Sequence, residues 1–63
     1  MINNNSTIRT YSINGHSYRF IRVHSEAGIF RGYCPRVRKY AWLNDNYIQF
    51  DGDPVVLATI KKD

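Results

Sequence analysis

Hydrophobic and polar residues alternate along much of this chain, which is the pattern of β-strands with one buried face. The alternation is clearest on both sides of Asn14-Gly15. Both residues of this dipeptide tolerate a positive φ angle, and between strand-like runs the pair is the strongest short-range signal for a two-residue hairpin turn. The sequence therefore predicts a first hairpin in which Thr7–Ile13 pairs with residues 16–23.

A two-residue turn also fixes the register of that hairpin, because it determines which residues lie opposite each other. Ile13 is expected opposite His16, and Arg9 opposite Phe20. One face then carries Arg9, Tyr11, Ile13, Tyr18, Phe20 and Arg22, and the other carries Ile8, Thr10, Ser12, Ser17, Arg19, Ile21 and Val23. Neither face is purely polar, which suits a curled sheet with one face inside and the other partly covered.

The remainder of the chain predicts further short strands separated by turn residues. They are expected at Ile29–Cys34 and at residues 37–43, 46–50 and 55–61. The composition of residues 37–43 also suits a helix, but no N-cap residue precedes them, so a strand is favoured. We expect an all-β domain over residues 7–63, a small five- or six-stranded SH3-like or OB-like barrel built from hairpins. A flexible N-terminal tail is expected at residues 1–6.

The length of 63 residues allows one domain with a small core. The chain is 43% hydrophobic and contains one Trp, five Tyr and three Phe, which separates it from disordered proteins. Domains this small often gain stability from a partner subunit. A homodimer that covers an edge strand is therefore expected, with Thr7–Ile13 and residues 55–61 as the edges.

The charge of the chain is positive and unevenly distributed. Nine Lys and Arg residues oppose five Asp and Glu residues, for a net charge of +4, and the isoelectric point is near 9.6. Residues 19–39 contain six cations and one acid, whereas residues 44–53 contain three acids and no cation. A folded domain of this size would have a positive side, which is one feature of nucleic-acid-binding proteins.

The segment Arg-Val-Arg-Lys-Tyr-Ala-Trp at residues 36–42 combines cations with aromatic rings. On a strand, Arg36, Arg38, Tyr40 and Trp42 would share one face, and a two-residue turn at Asn44-Asp45 would bring Tyr47 beside Trp42. Cations for phosphates and aromatic faces for bases are what single-stranded nucleic acid requires. Two interpretations of Trp42 stay open, namely an exposed stacking platform and a buried core anchor.

These patterns predict a small basic binding domain that contacts nucleic acid, either DNA or RNA. The expected binding residues are Arg36, Arg38, Lys39, Tyr40 and Trp42, extended by Arg19, Arg22 and Arg31. The alternative is a small regulatory or inhibitory module, such as mobile elements encode, that docks on a larger acidic protein. Tyr, Trp and Arg are also the residues that dominate protein interfaces.

No constellation of residues indicates an enzyme, a metal site or a cofactor. His16, His24 and Cys34 do not match a compact zinc pattern, and the Asp51-Gly52-Asp53 turn lacks the glutamate that would complete a calcium loop. The single cysteine favours a reducing compartment. No signal peptide and no apolar stretch of about 18 residues is evident. We therefore expect a non-enzymatic cytoplasmic protein without cofactor, metal or membrane association.

Overall fold

The computed structural model describes residues 7–61, which form one curved sheet of seven antiparallel strands. The strands are β1 (Thr7–Ile13), β2 (His16–Glu26), β3 (Ile29–Cys34), β4 (Lys39–Leu43), β5 (Tyr47–Phe50), β6 (Val55–Leu57) and β7 (Thr59–Lys61). Their order across the sheet is β6-β5-β4-β3-β2-β1-β7. Because only Ala58 separates β6 from β7, the sheet nearly closes on itself.

The prediction of a small all-β, barrel-like domain is confirmed. Seven strands are present because the segment predicted as one strand at residues 55–61 is interrupted at Ala58. Its first half pairs with β5 and its second half pairs with β1. The tail expected at residues 1–6 lies outside the described residues.

The first hairpin has the predicted turn and register. Asn14 and Gly15 have φ angles of 52° and 81°, as a type I′ turn requires. Ile13 pairs with His16, and the same register continues to Arg9 opposite Phe20. The local turn chemistry of the Asn-Gly pair was therefore sufficient to align two strands.

Beyond Phe20 the predicted alternation is wrong, because β2 contains a β-bulge. Thr7 pairs with Val23, so that two residues of β2 lie opposite Ile8, and Arg22 has a φ angle of 55°. The extra residue returns Val23 to the buried face that contains Phe20. The strand then continues to Glu26, three residues beyond its predicted end.

Two turns around β4 also differ from prediction. The strand begins at Lys39, because residues 35–38 form a turn in which the Arg38 N–H donates to the Cys34 carbonyl at 2.8 Å. At its other end the turn is one residue later than expected, and Trp42 pairs with Gln49 instead of Tyr47. The strand thus starts two residues later than predicted and its pairing with β5 is displaced, although the same residues still alternate between the two faces.

The core lies on the concave side of the sheet. Its buried side chains are Tyr11, Phe20, Val23, Cys34, Ala41, Leu43, Ile48 and Ala58. The rings of Tyr11 and Phe20 meet edge to face with centroids 5.7 Å apart. The Tyr11 hydroxyl donates to the Asn44 carbonyl at 2.9 Å, which satisfies its polar end, and burial raises the pKa of Tyr11.

The edges of the sheet are only partly as predicted. β1 pairs with β2 on one side and with β7 on the other, so the expectation that Thr7–Ile13 is an edge is wrong. Within the part of the chain that the structure describes, the edges are β6 and β7, and both belong to the predicted edge at residues 55–61.

Candidate nucleic-acid interface

The basic-aromatic face expected at residues 36–42 is divided by the fold. Arg36 and Arg38 lie in the turn before β4, whereas Tyr40 and Trp42 lie within β4 on its outer face. The alternate residues Ala41 and Leu43 point into the core. The idea that the two arginines share one strand face with Tyr40 and Trp42 was therefore wrong, because the strand starts too late to include them.

Trp42 is neither a core residue nor a free stacking platform. It lies on the outer face, is partly buried, and pairs across the sheet with Arg31. The Arg31 guanidinium carbon lies 4.6 Å from the centroid of the Trp42 ring and 5.3 Å from that of Tyr40. A cation–π contact of this kind occupies the ring surface on which a base would stack.

Arg31 is held over these rings by a carboxylate from the turn between β5 and β6. Its two terminal nitrogens donate to the two carboxylate oxygens of Asp51, both at 2.7 Å. This bidentate hydrogen bonding lowers the pKa of the Asp51 carboxyl and raises that of the Arg31 guanidinium. The positive charge of Arg31 is therefore largely neutralised within the molecule.

Lys39 is neutralised from the same turn. Its ammonium nitrogen lies 2.9 Å from a carboxylate oxygen of Asp53, whose backbone carbonyl also accepts a hydrogen bond from the Gln49 side chain at 3.2 Å. Two of the eight predicted binding residues, Lys39 and Arg31, thus face carboxylates. They are poorly suited to hold phosphates, because binding would have to displace an internal partner.

A different surface brings unneutralised cations together around Ser17. Arg36 donates to the Ser17 carbonyl at 2.6 Å, and its guanidinium carbon lies 4.6 Å from the centroid of the Tyr18 ring. Lys61, on β7, donates to the Ser17 hydroxyl at 3.0 Å. Arg19 is two positions along β2 and exposed, so it points to the same side of the sheet as Ser17. We call Ser17, Arg19, Arg36 and Lys61 the Ser17 surface.

The Ser17 surface is positively charged and borders a groove on the outer face of the sheet. This groove of about 310 Å³ is lined by Ser17, Arg19, Ile21, Pro35 and Arg36. Within residues 7–61, no carboxylate lies within salt-bridge distance of Arg19, Arg36 or Lys61. The positive charges there are therefore available to an external anion.

Among the described residues, the remaining predicted arginines, Arg22 and Arg38, form no cation–π contact with the aromatic rings of β4. Arg22 is exposed at the β-bulge, and Arg38 is exposed in the same turn as Arg36, with a φ angle of 58°. Lys61 was not predicted as a binding residue. It is 44 residues from Ser17 in the sequence, and only the pairing of β7 with β1 brings it there.

The histidine, cysteine and carboxylate side chains of the described residues are dispersed over the fold. In the described part of the chain, no three His, Cys, Asp or Glu side chains are grouped as metal ligands. His24 instead donates hydrogen bonds at 3.1 Å to the Arg22 carbonyl and to the Glu26 carboxylate, and these two acceptors raise its pKa because they favour the protonated ring. Among residues 7–61, no helix has the length and apolarity needed to cross a membrane.

Comparison with known proteins gives no family assignment. No protein-family model matches the sequence, and neither the curated proteins nor the solved structures give a significant match.

Proposed function

We propose that this protein is a non-enzymatic binding domain that contacts the phosphate backbone of nucleic acid through the Ser17 surface. The observation that supports the proposal is the convergence of Arg36 and Lys61 on Ser17, with Arg19 on the same side of the sheet. Arginine, lysine and serine side chains are the usual donors to phosphate oxygens. No carboxylate in residues 7–61 competes for these cations.

Backbone contact is favoured over base stacking. The Trp42 and Tyr40 rings lie under the Arg31–Asp51 pair, and the Tyr18 ring near the groove carries the Arg36 guanidinium. Affinity would then come mainly from phosphate contacts and counterion release, so it should fall steeply with salt and depend weakly on sequence. This differs from the stacking mode expected from residues 36–42.

Fluorescence anisotropy with labelled single- and double-stranded oligonucleotides, titrated from about 50 to about 200 mM salt, tests the proposal. Wild-type protein should bind at low salt, with a linear decrease of log K against log salt. Lys61→Gln should lower the affinity and reduce the magnitude of the salt slope by about one, because one phosphate contact is lost. The combined Arg19→Gln, Arg36→Gln and Lys61→Gln variant should not bind.

Lys39→Gln is the matched control for Lys61→Gln. It removes the same group and the same unit of charge, but at a site where Asp53 already neutralises the lysine. Its affinity should stay close to that of wild type. Equal losses in Lys39→Gln and Lys61→Gln would overturn the proposed site, because binding would then depend on net charge alone. Circular dichroism verifies that each variant is folded.

The alternative partner is a larger acidic protein that this domain regulates or inhibits. Interleaved arginine and tyrosine side chains, such as Arg36 on Tyr18, are typical of protein interfaces as well. A folded wild-type protein that fails to bind any oligonucleotide at low salt would overturn the nucleic-acid proposal and favour this partner.

A further inference from the structure

Strand β6 is an uncharged open edge of the sheet. Within residues 7–61 it pairs only with β5, and its three residues are Val55, Val56 and Leu57. Leu57 is 81% exposed and Val55 is 52% exposed. The opposite edge, β7, carries Lys61, a type of charge that protects edges from pairing, whereas β6 has no such protection.

The hydrogen bond of Ala58, the residue directly after β6, shows which backbone groups of β6 face the open edge. The Ala58 N–H donates to the Asn46 carbonyl at 3.0 Å, so the backbone groups of Ala58 point towards the strand that contains β5. Backbone direction alternates along an antiparallel strand, so the groups of Val56 also point towards β5. Those of Val55 and Leu57 point away from the sheet, towards the open edge.

A groove of about 250 Å³ lies on the outer face beside this edge. Its lining residues are Ile29, Trp42, Leu43, Asn44, Tyr47, Gln49 and Val55, and none of them is charged. Leu57, which alternates with Val55 on the same face of β6, is the most exposed large hydrophobic residue among those described. One short strand thus presents a protruding apolar side chain next to an unfilled apolar groove.

We propose that β6 pairs antiparallel with β6 of a second copy of this chain, about a two-fold axis at Val56. In this register Val55 of each copy lies opposite Leu57 of the other, and their outward backbone groups form reciprocal hydrogen bonds. Leu57 of each copy then lies at the rim of the other groove, next to Val55. Such a self-complementary patch is what a symmetric interface requires.

The charge distribution supports a second copy as the occupant of this edge. The chain has a net charge of +4, so two copies repel each other over most orientations. The cations near β6, Arg31 and Lys39, are neutralised by Asp51 and Asp53 of the turn that precedes it. Two copies can therefore approach at this face without bringing unpaired cations of these two residues together. The interface does not rest on the nucleic-acid proposal, since no residue of the Ser17 surface takes part.

Sedimentation equilibrium without nucleic acid, over a range of protein concentrations, tests this interface. Wild-type protein should show a reversible monomer–dimer equilibrium, and Leu57→Lys should raise the dimer dissociation constant by at least about tenfold. Ile8→Lys is the matched control. Ile8 is 57% exposed on β1, and the change adds the same charge and removes the same apolar bulk at another strand. Its dissociation constant should stay close to that of wild type.

A second readout uses the wild-type chain and does not depend on any variant folding. Hydrogen exchange of the Val55 and Leu57 amides should slow as protein concentration rises, whereas exchange of the Val56 amide should change little. A wild-type protein that is strictly monomeric up to high micromolar concentration would overturn the proposal. So would a folded Leu57→Lys variant that dimerises as wild type does, or equal weakening by Ile8→Lys.

Discussion

At the scale of single residues, the guanidinium of Arg31 links the aromatic rings of β4 to the turn between β5 and β6. It lies over Trp42 and Tyr40, and it forms a bidentate pair with Asp51. The Arg31 side chain is 20% exposed and that of Asp51 is 48% exposed, so solvent still screens part of this interaction. The contacts stabilise the outer face without placing Trp42 in the core.

Replacement of Trp42 by alanine should therefore destabilise the protein less than a core truncation. We expect Trp42→Ala to cost about 1–2 kcal/mol, from the lost cation–π contact and cross-strand packing. Phe20→Ala, which empties a fully buried position, should cost about 3–5 kcal/mol. Urea unfolding measures both free energies.

The same Trp42→Ala variant should keep wild-type affinity for oligonucleotides, since the Ser17 surface is on other strands. A cost equal to that of Phe20→Ala would mean that Trp42 is a core anchor after all. Loss of oligonucleotide binding by a folded Trp42→Ala protein would restore it as a stacking platform.

At the scale of elements, two hairpins use the same backbone conformation with different sequences. Asn14-Gly15 and Ala27-Gly28 both have positive φ angles at both positions, and Ala27 has a φ angle of 54°. Asparagine tolerates this region, but an alanine there brings its Cβ too close to the following carbonyl, which costs about 1–2 kcal/mol. The turn between β2 and β3 is therefore strained at Ala27, whereas the turn between β1 and β2 is not strained at Asn14.

Ala27→Asn should stabilise the protein by about 0.5–1 kcal/mol, because asparagine relieves this strain in the folded state. The free energy of unfolding from urea titration is the measurement. Ser25→Asn serves as control, since Ser25 is exposed nearby in β2 and has no positive φ angle. It should give no gain. Equal stabilisation by both substitutions would argue against strain at Ala27.

At the scale of the whole molecule, the fold separates neutralised charge from available charge. Asp51 and Asp53 neutralise Arg31 and Lys39 beside the outer aromatic face. The cations around Ser17 have no such partners among residues 7–61. The net charge of +4 is therefore concentrated on the Ser17 surface, and the face beside β6 is nearly neutral. The proposed polyanion would bind the first of these, and the proposed second copy would bind the other.

The Asp51 carboxylate should make stability depend on acid pH. Arg31 lowers its pKa below the ordinary value of 3.8, so the folded protein holds this proton less tightly than the unfolded chain does. The resulting stability is fully present above the unfolded pKa and is lost as the pH falls through the folded pKa. Thermal unfolding from about pH 5 to about pH 2 should therefore show a smaller loss of stability for Asp51→Asn than for wild type.

Asp45→Asn is the control for this titration. Asp45 is exposed and forms no salt bridge within the described residues, so its removal should leave the acid dependence of wild type in place. Parallel curves for wild type and Asp51→Asn would show that the pair with Arg31 contributes nothing to the acid dependence.

The sequence by itself determined the all-β class, the first hairpin and its register as far as Phe20. These features depend on neighbouring residues, because alternation has a period of two and the Asn-Gly turn aligns the strands that flank it. The alternation within β4 also correctly separated Trp42 from Ala41. What it could not show is which of these two faces is buried, since that depends on the strands packed against the concave side.

Only the tertiary structure decided where the proposed binding surface lies. The β-bulge that returns Val23 to the core has no local signal, and the turn at residues 35–38 carries Arg36 away from β4 and towards Ser17. Arg31 meets Asp51 across 20 residues of sequence, and Lys61 meets Ser17 across 44. Such contacts form when the sheet curls and β7 pairs with β1, and the burial of the shared core drives that closure rather than any preference of the residues that meet.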